Sequence, residues 1–139
     1  LTPCELRQGC TSDLDGVLEL WVRAEAAPTV TDSTGALRRL LDVDPGALLV
    51  AEVDDRIVGA VIAAWNGWRG SFYRLAVDPE HRGHGLATRL VRAGEQRLRD
   101  RGAVRIDALA ATHDPVAIGF WQACGYQRQS DRARFVRNF

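Results

Sequence analysis

Apolar and polar positions change their spacing several times along this chain, and each change marks an element. "CELRQGC", at 4–10, reads as a short first strand. "TSDLDGVLELWVRAEA" follows, with Leu14, Val17, Leu18, Trp21 and Val22 at helical spacing and Ser12 or Asp13 placed to cap it. Pro28 and "TVTDSTG" interrupt the pattern. "ALRRLLDVD" then sets Leu37, Leu40 and Leu41 on one side of a second helix, which Pro45-Gly46 stops. "ALLVAEV" and "RIVGAVIAAW" are apolar runs joined by Asp54-Asp55, a hairpin signal. Asn66-Gly67 predicts a two-residue turn into the strand "SFYRLAV", with Trp65 and Trp68 as a cross-strand aromatic pair.

Beyond that strand, Ala87, Leu90, Val91 and Leu98 line one face of a helix that Gly102 ends. Gly94 falls on the same face, where a missing side chain lets a neighbour approach at some loss of helix propensity. "AVRIDALAA" predicts a strand, and "DPVAIGFWQAC" a helix with Pro115 in its first turn and Gly125 after its end. "YQRQ" and "RARFVRNF" predict a final hairpin. The order β-α-α-β-β-β-α-β-α-β-β describes one α/β domain with a mixed sheet, antiparallel in its first half.

The chain has 139 residues, enough for one domain with a real core. Its formal net charge is zero, which argues against a nucleic-acid or membrane binder driven by bulk charge. The longest apolar stretch, "IVGAVIAAW", is far short of the roughly 20 residues of a membrane span. Cys4, Cys10 and Cys124 have no ligand-like spacing, so a reducing cytoplasm is expected rather than a disulfide framework. His81, His84 and His113 form no H-x-x-x-H pair, and no metal is expected.

The chemistry concentrates at "VDPEHRGHGLATRLV", 77–91, where a strand runs through two glycines straight into a helix. A helix N-terminus leaves N–H groups unpaired, and glycines before it let the backbone take positive φ without a Cβ in a ligand's way. A phosphate there accepts several N–H bonds at once. Arg82 and His84 offer side-chain donors and Thr88 a hydroxyl, and no acid lies between His81 and Gly94. On local sequence alone, a tight turn with no ligand explains the glycines equally well. Other phosphate motifs fit poorly: "GHGLAT" lacks the third glycine of G-x-G-x-x-G, and no G-x-x-x-x-G-K-[ST] occurs.

"RGHGLA", preceded by "LAVDPEH", resembles the pyrophosphate-binding motif of the GNAT superfamily of acyl-CoA-dependent N-acyltransferases, with Arg82, Gly85 and Ala87 matching. "DPVAIGFWQACGYQ" resembles that family's downstream element through Ala117, Ile118, Phe120 and Gly125. The resemblance implies a mixed, mostly antiparallel sheet splayed between two central parallel strands and flanked by helices. It implies acetyl-CoA lying in the splay, with Leu75, Ala76 and Val77 along the pantetheine arm. Amides of Arg82, Gly83, His84, Gly85, Leu86 and Ala87, with Thr88, would hold the pyrophosphate. Asp114, Ala117, Phe120 and Trp121 would flank the arm and the thioester, and the Val77 amide would serve as oxyanion donor.

Two positions depart from the family pattern. Trp121 stands where a tyrosine often protonates the leaving thiolate, and an indole N–H is a donor but not an acid. Asp114 stands where an asparagine is common. No Asp or Glu lies between Trp68 and Val77, so the general base is open: Tyr73 and His113 are the candidate substitutes, and Glu25 and Asp32 candidate substrate contacts. Plain structural roles explain all four. A site without a strong base suits a low-pKa amine: deprotonation at pH 7 costs about 4.6 kcal/mol for a lysine amine but about 1.1 for an α-amine.

The expected function is an N-acetyltransferase moving an acetyl group from acetyl-CoA to a primary amine of a small molecule, peptide or protein N-terminus, by direct attack in a ternary complex. A non-catalytic acyl-CoA-binding or regulatory domain is the alternative. The last hairpin's edge, or the aromatic turn, offers a surface for a homodimer.

Overall fold

The computed structural model describes residues 3–139. Four strands form an antiparallel meander, β1 (Glu5–Gln8), β2 (Leu48–Val53), β3 (Arg56–Trp65) and β4 (Gly70–Val77), and β5 (Ile106–Ala108) adds to β4 in parallel. Helices α1 (Leu14–Arg23) and α2 (Thr34–Val43) separate β1 from β2; α3 (Leu86–Asp100) crosses from β4 to β5, and α4 (Pro115–Ala123) follows β5. The sheet is thus mixed, mostly antiparallel and flanked by helices, as the pattern predicts.

Asp54 and Asp55 take φ of 49° and 60° and join Val53 to Arg56. Two left-handed residues in succession match the twist of paired strands, which is why this hairpin is tight. Helices cover both faces of β3, so its apolar run is continuous and alternate residues serve opposite cores. Ala60 and Ile62 join Leu14, Val17, Leu20 and Trp21 of α1 and Leu37 and Leu41 of α2. Val61 and Ala63 join Leu86, Leu90, Val91 and Leu98 of α3. Gly94 is the point of closest approach there: a Cβ on it would lie 2.4 Å from Phe72 Cε1. Buried Asp44 accepts from the Trp65 amide at 2.9 Å and pairs with Arg97, tying α3 to the loop before β2.

Several expectations need correction. Leu20, not Val22, completes the buried stripe of α1; Val22 is exposed, because the stripe's angular window includes position 20. The Asn66-Gly67 turn spans four residues, with Trp65 opposite Gly70. Asn66 Oδ1 accepts from the amides of Trp68 and Arg69 and widens the turn. Trp68 therefore points to solvent under the Arg69 guanidinium rather than pairing with Trp65. Only Ile106–Ala108 of "AVRIDALAA" is strand, since its alanines offer little apolar area to hold a ladder. The final hairpin does not form: no strand follows α4 among the described residues. Phe135 and Val136, between Arg134 and Arg137, lie exposed, as does Phe139, and a hairpin with no face to bury is marginal in water.

Candidate active site

The sheet opens near one edge rather than between two central strands, because β5 is the last strand of the described sheet. β4 and β5 pair over three rungs, Gly70–Ile106, Ser71–Asp107 and Phe72–Ala108, and then part. On its other side β4 stays paired to β3 as far as Val77 opposite Gly59. The Asp78 amide donates to Val58 O at 2.8 Å, so by antiparallel alternation the N–H and C=O of Val77 point away from β3, into the opening. An exposed strand edge of this kind needs partners for its amides and carbonyls.

The edge is shaped by a bulge. Ala60 and Ile62 of β3 face Ala76 and Tyr73, one residue more on β4, and Arg74 takes φ of 56°. Arg74 pairs with Asp32, donates to Ala27 O at 2.9 Å and lies 4.7 Å over the Trp21 ring. The loop between α1 and α2 is thereby clamped to the bulge. Asp32, a candidate substrate contact, is engaged in that clamp. Glu25 sits on the same loop, exposed and left-handed, without a role that the structure explains.

At the end of β4, Asp78 organises the turn. Its carboxylate is buried, caps the 3-10 turn Pro79–His81 through the Glu80 amide at 2.9 Å, and accepts from Arg23 Nε at 2.8 Å, with Arg56 at 3.6 Å. Burial pushes this carboxyl up, but the Glu80 amide and the two guanidiniums outweigh it and hold it below the usual carboxylate range. The turn delivers the chain to Gly83 and Gly85, with φ of 82° and 76°, and Gly85 is the N-cap of α3.

The first helical bond runs from the Arg89 amide to Gly85 O, which leaves the amides of Leu86, Ala87 and Thr88 without a partner within the helix. The first turn carries no acid, and a Cβ at Gly83 or Gly85 would meet nothing within 4 Å. The glycines therefore serve the left-handed backbone, and the space above the amides is open. These features fit the pyrophosphate of an acyl-CoA. Arg82 and His84 support the loop instead of reaching out from it: Arg82 Nε donates to Val77 O at 3.3 Å, and His84 Nδ1 lies 2.9 Å from Arg82 O.

Across the opening, Asp114 caps α4 by accepting from the Ala117 amide at 3.0 Å, so its carboxylate has an occupant. Trp121 packs against Phe72, Phe120 and Tyr126 with ring centroids 5.5, 5.3 and 5.1 Å away. Tyr126 donates to Glu95 Oε2 at 2.6 Å, and burial, with Glu95 beside it, pushes its hydroxyl well above the ordinary tyrosine pKa. Tyr73 is half exposed one residue past the last β4–β5 rung, and His113 is exposed before α4. Leu75 lies on the edge itself, whereas Ala76 pairs with Ala60 of β3 and buries its side chain in the core under α1.

Sequence reasoning missed Arg74, Asp78 and the Tyr126–Glu95 pair. An arginine inside the apolar run "SFYRLAV" was a usable signal for the first; the others depend on partners 55 and 31 residues away. Among the described residues no three His, Cys, Asp or Glu side chains come together to hold a metal ion.

A half-parted sheet with a phosphate-ready helix start beside its free edge defines an acyl-CoA-dependent transferase. The family model "Acetyltransferase (GNAT) family" matches residues 14–126, and the chain belongs to that family. An acetyltransferase of Pectobacterium atrosepticum is 34% identical over 123 residues, 88% of this chain and 87% of the relative. Among solved structures, Ard1 from Thermoplasma volcanium superposes with a TM-score of 0.81 at 17% identity, covering 91% of this chain and 84% of Ard1. An aminoglycoside N-acetyltransferase, AAC(6')-Iy in complex with CoA, gives 0.78 at 18% identity, covering 99% and 96%. At those identities the structures speak for the shared fold. The chain is a GNAT-fold acetyltransferase with acetyl-CoA as the co-substrate that fold takes.

Proposed function

We propose that this chain transfers an acetyl group from acetyl-CoA to a primary amine by direct attack in a ternary complex. The observation that carries the reading is the Val77 amide, turned into the opening on the same edge that leads to the bare amides of α3. Acetyl-CoA supplies a thioester carbonyl. The amides of Leu86, Ala87 and Thr88 with the Thr88 hydroxyl bind its phosphates, and the backbone of Leu75 and Val77 aligns its amide-bearing arm as an added strand. The amine nitrogen forms its bond to the carbonyl carbon as the C–S bond breaks, and the Val77 N–H donates to the oxygen where negative charge develops. Trp121, packed among aromatic rings, lines this end and carries no transferable acidic proton.

Asp32 is held by Arg74 and Tyr126 by Glu95, so the departing thiolate takes its proton from water, and the amine gives one up to water or to the exposed Tyr73 or His113 side chain. This arrangement favours an amine already partly neutral near pH 7, such as a peptide α-amine. Saturating acetyl-CoA, at about 100 times Kd, will stabilise the fold by about 2.7 kcal/mol. Thiol release across amines and peptides then reads catalysis. Folded protein with no thermal shift would sink the cofactor assignment, and binding without turnover on any acceptor would favour the non-catalytic reading.

A further inference from the structure

Two ligand-facing elements meet at Asp78. Before it, β4 ends with the Val77 amide turned into the opening; after it, the chain enters the glycine loop whose last member caps α3. Each element has its own support. Val77 pairs with Gly59 of β3, and Leu86 and Leu90 seat the start of α3 in the core. Asp78 joins the two. Its amide donates to Val58 O and its carbonyl accepts from the His81 amide, both at 2.8 Å. The residue is 2% exposed; its Oδ1 accepts from the Glu80 amide and its Oδ2 from Arg23 Nε. Arg23 also donates to Ile57 O at 2.8 Å, so α1 and β3 hold the carboxylate from outside the loop. Arg56 of β3 stands 3.6 Å from Oδ2 and the His81 ring 3.7 Å from Oδ1. Arg82 Nε closes the segment by reaching back to Val77 O.

Capping alone does not account for a buried charge here. An asparagine or serine oxygen caps a turn as well as a carboxylate does, and burying a charge is costly unless it is paired. The charge is accounted for by Arg23 and Arg56, which come from α1 and β3 rather than from the turn. We propose that Asp78 is a positioning residue whose carboxylate holds the phosphate-binding amides of α3 in register with the Val77 oxyanion donor. The inference rests on the cofactor placement and the acetyl-transfer reading above. A cofactor gripped at both ends gains affinity beyond either part, by an effective concentration that depends on how well the two sites are held for simultaneous engagement. Loosening the junction leaves each subsite standing and lowers that gain. It also lets the thioester carbonyl drift from the Val77 N–H, where a displacement of about 1 Å costs on the order of 100-fold in rate.

The test compares the whole cofactor with its phosphate end. ADP carries the pyrophosphate without the arm, whereas acetyl-CoA spans both subsites. Isothermal titration gives both Kd values for the parent protein and for Asp78→Asn, Arg23→Gln and Arg56→Gln, and unliganded melting curves establish folding. Asparagine keeps an oxygen for the Glu80 amide but offers the arginines no charge. For Asp78→Asn, acetyl-CoA is expected to bind about ten-fold more weakly while ADP stays within about two-fold of the parent. Arg23→Gln, which leaves Asp78 and its cap in place, should shift acetyl-CoA in the same direction, and it carries the test if the Asp78 variant does not fold. Arg56→Gln, at longer range, should do less. Equal weakening of ADP and acetyl-CoA in folded variants would overturn the inference, leaving Asp78 as a support of the loop alone. Unchanged acetyl-CoA affinity in Arg23→Gln and in folded Asp78→Asn would overturn it too. ADP that fails to compete with acetyl-CoA in the parent would remove the cofactor placement itself, and the inference with it. The ten-fold split in a parent that releases no thiol with any amine would support the positioning role while removing the transfer reading.

Discussion

Gly85 offers a test in which strain and charge separate cleanly. It holds φ of 76° at the start of α3, with open space where a Cβ would stand. Asparagine and aspartate both tolerate the left-handed region, so Gly85→Asn and Gly85→Asp carry nearly the same conformational cost, of about 1 kcal/mol. They differ by one negative charge above the amides of Leu86, Ala87 and Thr88. A carboxylate about 6 Å from a phosphate, at an effective dielectric of about 20, is repelled by about 2.8 kcal/mol, a factor of about 100 in Kd. Isothermal titration with acetyl-CoA should therefore show the Asp variant binding about 100-fold more weakly than the Asn variant at low salt, with the gap shrinking as salt rises. Thermal melts without ligand should place both a few degrees below the parent protein and close to one another. Equal acetyl-CoA affinities in two folded variants would refute the placement of phosphate on this helix end.

Gly94→Ala would ordinarily stabilise a helix by about 1 kcal/mol. Here its Cβ falls 2.4 Å from Phe72 Cε1 and 3.1 Å from Ala63 Cβ, and Phe72 is boxed in by Trp121 and Tyr126. The overpacking cost of about 1–3 kcal/mol wins, so the melting temperature should fall, and Phe72→Leu in the same chain should recover part of it. An unchanged or raised melting temperature for the single variant would contradict the packing described. The Arg7 fork on Asp13, at 2.8 and 2.9 Å, with the Cys10 amide also donating, holds the Asp13 carboxyl down to about 2 against an ordinary 3.8. A folded-state pKa below the unfolded one gives stability that is full above about pH 4 and lost as pH falls towards 2. Asp13→Asn should accordingly lower stability by roughly 2 kcal/mol near pH 6 and by much less near pH 2, measured by denaturant melts at both values. A pH-independent difference would show that the carboxylate's charge is not what Arg7 holds.

How much of this was legible in the chain follows the range of the interactions involved. The Asp54-Asp55 hairpin, the apolar stripe of α3, the vacancy at Gly94 and the glycine entry to α3 all lie in short windows, where spacing alone determines which side chains share a face. The two motifs, "RGHGLA" and "AIGFWQACGY", carried the family because each is local. Tertiary structure decided the rest. The bulge at Arg74 exists beside a loop whose Asp32 lies 42 residues earlier, and the charge of Asp78 is balanced from α1 and β3. The parting of β4 and β5 after Phe72, which turns the Val77 amide into a usable donor, is a property of two strands whose paired residues lie 36 apart in the chain; neither "SFYRLAV" nor "AVRIDALAA" announces where pairing stops. Local sequence sets the backbone's preferences, but which amides are left without partners depends on every strand that might have claimed them, and only the folded sheet settles that.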